Sequence, residues 1–519
     1  MKKGFRGLLV CSAICAPFLT AAVFAFGGEP FFYENPRAII ITHPSPDARV
    51  TSFSLISFLG ACDSGFPLYV NGGEVRTTAN GFFTFRAELE PGENVFVFTN
   101  GENAETVTVT RRPPDPPPPD EITMYEVAVY GSTEYDDISR FDDFNDDLYM
   151  RAPLAKGTVF RLAGERGDCY ILEDGSYVFK DNVYMLNRAV PEIVISKAET
   201  YEENDSVRLS VEMNENALYD VAVQGDKAVV TVYAAKKQTY ELQFEQPPAG
   251  YVARFTETGL EIAFRRPPAL LSKAVVLIDA GHGGSDPGAP GPPGNYGAAE
   301  KDFNLYVADK ARRYLESRGV NVIFVRNADE DFPVRQRAEL FKERPDVSVC
   351  VHANSAPLNA DFYEKSGPLM FYTLDTSEKA AESVLRHIAA EMSVDYTPPI
   401  KQNFLMTRYA GCPAMLFEMG FLCNPDEYER LLRVRYLDLI GTALGEAVEM
   451  YLLTTAADEP PGETESIAFT EEEPGETESA ALTEEEPGGY VTDSRAPIIV
   501  CVVLFGALLI AIEPKLIND

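Results

Sequence analysis

The chain has 519 residues, 45% of them hydrophobic, and sets 45 Lys+Arg against 80 Asp+Glu for a formal charge of −35. That length holds several domains with sizeable cores, and the charge excludes a general nucleic-acid binder, which needs basic surface to neutralise phosphates. Three of the eight cysteines, Cys11, Cys15 and Cys501, lie in the hydrophobic ends, leaving Cys62, Cys169, Cys350, Cys412 and Cys423. An odd number without a CxxC pair excludes a disulfide-dense scaffold and a zinc–thiolate site, so buried free thiols are expected.

Residues 1–25 are expected to be a signal peptide. Lys2, Lys3 and Arg6 precede an uncharged run from Gly7 to Phe26, and Val23-Phe24-Ala25 has the small residues of a cleavage site. The alternative is an uncleaved anchor; either way the rest of the chain is exported. In 30–111, short strands are expected at 38–42, 67–70, 82–85, 94–99 and 105–109, with turn signals at Asn71-Gly72-Gly73 and Asn80-Gly81. This spacing suggests a small β-sandwich. The stretch YVNGGEVRTTANGFFTF, followed by PGENVFVF, resembles bacterial immunoglobulin-like modules appended to surface enzymes.

A proline-rich linker, 112–120, is expected to be extended. Residues 121–186 alternate strands with glycines and resemble a bacterial SH3-type module; an anonymous β domain is the alternative. Residues 187–267 are again strand-rich. After Pro267-Pro268 the pattern changes. In 271–453, strands at 275–279, 320–325, 347–351 and 414–417 alternate with helices at 303–318, 334–342, 377–392 and 426–452. The fold expected is therefore multidomain: all-β modules, then an α/β catalytic domain with a mostly parallel sheet flanked by helices. Residues 454–495 contain PGETESIAFTEEE and PGETESAALTEEE, an acidic repeat with no hydrophobic face, expected to act as a self-repelling tether. Residues 496–512 are an uncharged apolar run, just long enough for a transmembrane helix tethering the protein to the membrane.

Of four histidines, His282 and His352 each follow an expected strand of the α/β domain. Ligands bind beyond the carboxyl ends of such strands. Glu300 stands at an expected helix start, and Glu418 closes the apolar strand PAMLFE, where buried charge needs a partner or a task. Two histidines and a glutamate with one open position form a recognised catalytic zinc set, and Glu418 suits a general base. On spacing alone, satisfied strand-end residues remain an equal alternative. Among the neighbours, Asp279 and Asn354 suit either partners of the ligands or turn stabilisers, and Arg335 and Arg337 suit either carboxylate binding or a solvated helix face. His43 and His387 are expected to have no metal role. Cys412 and Cys423 flank Glu418 and are expected to be buried thiols.

LIDAGHGGSDPGA, AEK before a helix, RNADEDFPVRQRAEL, SVCVHANS and PAMLFEMGFLCNPDE follow one another in order. Together they resemble the zinc-dependent N-acetylmuramoyl-L-alanine amidases with an AmiC-type catalytic domain, over 273–453. The resemblance implies that His282, Glu300 and His352 ligate Zn2+ and that Glu418 is catalytic. It implies peptidoglycan as substrate, cut between the lactyl group of N-acetylmuramic acid and L-alanine, at the cell surface or wall. The alternative is a non-catalytic wall-binding or scaffold protein with an amidase-like fold. Two departures stand out. Leu369 occupies the place of a glutamate the family usually carries after its HAN motif. The span from His352 to Glu418 is also too short for the helix that plugs the zinc in some members, so an open site, active in isolated 273–453, is expected.

Overall fold

The computed structural model describes residues 33, 35–114, 121–144, 146–455 and 468–470. The expected signal peptide and the apolar run 496–512 lie outside the described residues, as do 115–120 of the proline-rich linker and most of the acidic repeat. Among the described residues, no helix is long and apolar enough to cross a membrane.

The N-terminal module pairs a three-stranded sheet (Ile40–His43, Leu55–Ala61, Phe82–Glu88) with a five-stranded one (Val50–Thr51, Leu68–Val70, Gly73–Val75, Gly92–Asn100, Asn103–Arg111). Ile56, Phe58, Phe83, Phe98, Val107 and Val109 form its core. Sequence reasoning missed Leu55–Ala61 because the run has no polar alternation. Ile56 and Phe58 face the module's own core, whereas Leu59 and Ala61 pack into apolar clusters of the α/β domain. A strand buried on both faces carries no period-two signal.

Residues from Ile122 to Met185 build a seven-stranded antiparallel sheet. Those from Ile195 to Arg265 build two further sheets, one of which takes Ala468–Thr470 as an edge strand beside Gln238–Gln243. One apolar core, from Ile138 through Leu209 to Phe264, runs through both regions.

In the α/β domain the elements are β1 (Val275–Ala280), α1 (Glu300–Ser317), β2 (Asn321–Phe324), α2 (Val334–Glu339), β3 (Val347–Asn354), β4 (Leu369–Tyr372), α3 (Asp375–Met392), β5 (Ile400–Lys401), β6 (Ala414–Phe421), α4 (Pro425–Leu431) and α5 (Val434–Thr455). The sheet order is β2-β1-β3-β6-β4-β5. Strands β2, β1, β3 and β6 are parallel, and β4 runs antiparallel to β6. The single helix expected over 426–452 is two, α4 and α5.

Alternation along the strands decides what each face meets. Val276, Ile278 and Ala280 of β1, and Val347, Val349, Val351 and Ala353 of β3, face α1, α3 and α5. Helix α1 answers with Phe303, Val307, Ala308, Ala311 and Leu315, one apolar stripe at helical spacing. On the other face, Leu277, Cys350 and Leu416 meet Phe341, Tyr409 and Val252. His352 and Glu418 share that second face at its carboxyl edge and are paired in register across β3 and β6.

Candidate metal centre

His282, Glu300 and His352 converge at the carboxyl edge of the sheet, each offering a ligand atom within 4.8 Å of the others. Glu300 is the first residue of α1 and is buried at 3% exposure. Its Oε1 lies 3.2 Å from His282 Nε2 and 2.9 Å from His352 Nδ1. Neighbouring corners of a tetrahedron with bonds of roughly 2.1 Å lie about 3.4 Å apart, so these separations suit a small tetrahedral cation.

The backbone around the site is built for this approach. His282 sits at φ 59°, a left-handed conformation that is strained for a residue with a side chain. Gly281 packs against the His352 ring, and Gly288 packs between Glu300 and His282; neither has room for a Cβ.

Hydrogen bonds orient these side chains. Asp286 Oδ2 lies 2.7 Å from His282 Nδ1, which leaves Nε2 to face Glu300. Glu300 Oε2 accepts from the Ala289 N–H at 2.6 Å, and Oε1 accepts from Ala353 N–H and Asn304 Nδ2, each at 3.2 Å. Buried Arg326 donates to the carbonyls of Ala280 (2.8 Å), Gly281 (2.9 Å) and Lys301 (2.8 Å), tying β1 to α1.

The electrostatics follow from this crowding. Burial works to raise Glu300, yet His282 and then His352 hold it well below the ordinary carboxylate range. Burial works against charge on His282, but Glu300 and Asp286 outweigh it and push the imidazole to about 10. Two carboxylates, Glu300 and Asp286, thus make the surroundings of His282 anionic. Glu418 is the opposite case: burial, then the Glu300 carboxylate, push it well above the ordinary range, with His282 acting the other way. Its Oε2 is buried with no hydrogen-bond partner.

The remaining candidates fall elsewhere. Arg337 neither faces solvent nor is free for a ligand: it donates to Asp279 Oδ1 (2.6 Å), Ala280 O (2.7 Å) and His282 O (2.7 Å). Asp279 therefore pairs with Arg337 and accepts from Cys350 Sγ. Arg335 lies over the Tyr135 ring of the second module, 5.5 Å from its centroid. Asn354 caps a turn through Ser355 N–H. Leu369 is opposite Glu418 across β4 and β6. His43 packs on Phe362, and His387 lies on α3 near Glu446; neither joins the cluster. The five cysteines from Cys62 to Cys423 are buried, with Cys412 and Cys423 in separate apolar clusters. Between His352 and Glu418, the helix is α3, whose apolar side packs in the core with α5.

Sequence reasoning missed Asp286, Asn304 and Arg326. Asn304 was within reach of it, lying one helical turn from Glu300 on the same face. Asp286 and Arg326 carry no such signal, because their roles arise from loop closure.

Residues 276–450 match the family model described as N-acetylmuramoyl-L-alanine amidase. Among curated proteins, the chain is 28% identical over 211 residues to the germination-specific N-acetylmuramoyl-L-alanine amidase of Bacillus subtilis, covering 37% of this chain and 84% of that protein. It is 27% identical over 181 residues to the uncharacterized protein YqiI of Bacillus subtilis, covering 34% and 84%. Among solved structures, the amidase AmiC2 of Nostoc punctiforme matches with 28% identity and a TM-score of 0.33, covering 35% of this chain and 98% of that one.

Proposed function

We propose, from the membership of residues 276–450 in the N-acetylmuramoyl-L-alanine amidase family, that this chain hydrolyses peptidoglycan between the N-acetylmuramic acid lactyl group and L-alanine. The observation that carries the mechanism is the convergence of His282, Glu300 and His352 beside a buried, unpartnered Glu418 oxygen.

His282 Nε2, Glu300 and His352 Nδ1 would hold zinc. When bound, zinc supplies a Lewis acid that polarises the scissile carbonyl and acidifies a water. The chain's own residues do the rest. When Nε2 is the ligand atom, Asp286 would hold the remaining proton of His282 on Nδ1. The donors from Ala289, Ala353 and Asn304 hold Glu300 in one orientation and offset its burial. Glu418 takes a proton from the attacking water at Oε2 and returns it to the leaving amine of L-alanine. Its raised affinity for a proton, set by burial beside Glu300, suits that shuttle.

The test uses the full chain on purified peptidoglycan, with and without chelator, and reads products by mass spectrometry. Zinc-dependent release of stem peptides with a free L-alanine amine is expected. Glu418→Gln should retain zinc and lose activity by about 100-fold or more. Release of fragments with the lactyl–alanine bond intact would sink the reading.

A further inference from the structure

The N-terminal module does not hang from the catalytic domain; it is built into its ligand-bearing edge. Its contacts fall on the segments that follow β1, β3 and β6, all at the carboxyl edge of the sheet. Thr42 packs on Gly294, in the loop between His282 and Glu300. Ser57 bonds to the Leu358 and Ala360 carbonyls, in the loop that begins just past His352. Arg76 pairs with Asp426 and Asn80 bonds Glu429, both on α4.

Phe82 is the centre of this seam. It begins a strand in which Phe83 and Phe85 turn toward the module's own core. Alternation sends Phe82 the other way, yet it is 0% exposed, because it lies in the main core of the α/β domain. Its ring meets Tyr428 of α4 edge-on at 5.2 Å, and Tyr428 meets Phe303 of α1 at 5.8 Å. The Tyr428 hydroxyl donates to Ala298 O at 2.9 Å, two residues before Glu300. Gly291 and Gly297 lie so close to the Tyr428 side chain that neither could carry a Cβ. Phe82 thus backs the residue that shapes the loop joining two candidate ligands.

We propose that the N-terminal module is a built-in positioning subunit of the metal centre: Phe82, through Tyr428, holds the 287–299 loop in the shape that brings His282 and Glu300 together. The inference rests on the metal reading above. Domains joined only by linkers meet through modest polar interfaces and move freely. Here an aromatic side chain completes the neighbour's core, so undocking leaves a cavity beside Tyr428. Excised 273–453, expected from sequence to be active alone, lacks this support. Phe82 is a positioning residue and touches no substrate.

The experiment compares the full-length chain with Phe82→Ala, Phe82→Leu and, on the module's exposed strand face, Val95→Ala. Zinc affinity is read by competition with a chelating dye, and kcat and KM on peptidoglycan, both well below each protein's melting temperature. Phe82→Ala is expected to lose zinc affinity by about 10–100-fold, the scale for residues that orient metal ligands. Its kcat should fall while KM holds within about twofold, Phe82→Leu should lie between, and Val95→Ala should match wild type. A merely structural role lowers the melting temperature without moving zinc affinity, and a folded Phe82→Ala protein with wild-type affinity and kcat overturns the inference. If Phe82→Ala does not fold, Phe82→Leu decides: a loss of zinc affinity of about threefold or more supports the proposal, and wild-type affinity refutes it. Wild-type chain that takes up no zinc refutes the metal reading itself, and the inference with it; equal uptake by wild type and the Phe82 variants removes only the positioning role.

Discussion

Two seams clamp the catalytic sheet, one at each end, and they use opposite chemistry. At the carboxyl edge the N-terminal module inserts Phe82 among Tyr428 and Phe303 and leaves an ion pair, Arg76–Asp426, exposed at the rim. At the amino edge the third β region inserts a charge. Arg265, nearly fully buried, pairs with Asp346 at 2.8 Å and donates to the Pro345 and Gly411 carbonyls at 2.6 and 3.0 Å. Asp346 Oδ2 in turn accepts from Val275 N–H at 2.8 Å, the first residue of β1. An apolar plug tolerates adjustment and transmits shape to the ligand loops. A buried ion pair demands its partner but sits a full strand length from the candidate metal ligands. The site end is thus the seam tied to chemistry, and the far end is tied to stability.

The largest effect on folding is expected from Arg265→Met, which leaves Asp346 buried and unpaired. It should destabilise the protein by about 3–5 kcal/mol in denaturant unfolding. Adding Asp346→Asn should recover part of that loss, while zinc affinity of the folded protein stays unchanged in both. A change in zinc affinity would break the contrast between the seams. Phe82→Ala should cost on the order of 3–5 kcal/mol through the cavity it opens, and, unlike Arg265→Met, should also weaken zinc.

Acid should loosen the carboxyl-edge seam next. His43, packed edge-on against Phe362, is held by burial at about 4, against 6.5 in an exposed histidine. The unfolded chain therefore binds a proton that the folded chain refuses. The stabilisation is complete above pH 6.5 and is lost as pH falls toward 4, by up to about 3 kcal/mol at roughly 1.4 kcal/mol per unit. Hydrogen exchange of the Ile40–His43 strand between pH 7 and 4 measures it. His43→Leu should flatten the pH dependence. The smallest effect belongs to Arg76→Ala. An exposed pair contributes about 0.2–1 kcal/mol, and 0.5 M salt should mask it in the same unfolding assay.

Much of the candidate centre was legible in the chain itself. His282 and His352 could be placed at strand ends, Glu300 at a helix start and Glu418 at the end of an apolar strand. Each of those positions depends on local pattern, and four parallel strands bring their carboxyl ends to one edge. The five motifs in order supplied the family resemblance. The strands Leu55–Ala61 and Leu369–Tyr372 were not legible. The first is apolar on both faces because two different cores bury it, and the second is a short antiparallel addition whose partner lies some fifty residues on.

What the amino-acid order alone determined was therefore the set of reactive side chains and the elements that carry them. The burial of Arg337 against Asp279, the turn of Asp286 onto His282 and the passage of Phe82 into a neighbouring core were decided only by tertiary structure. Period-two alternation sends Phe82 and Phe83 to opposite sides of their strand. It is silent on which side meets the module's own core and which meets another domain, because that depends on surfaces brought together from hundreds of residues away.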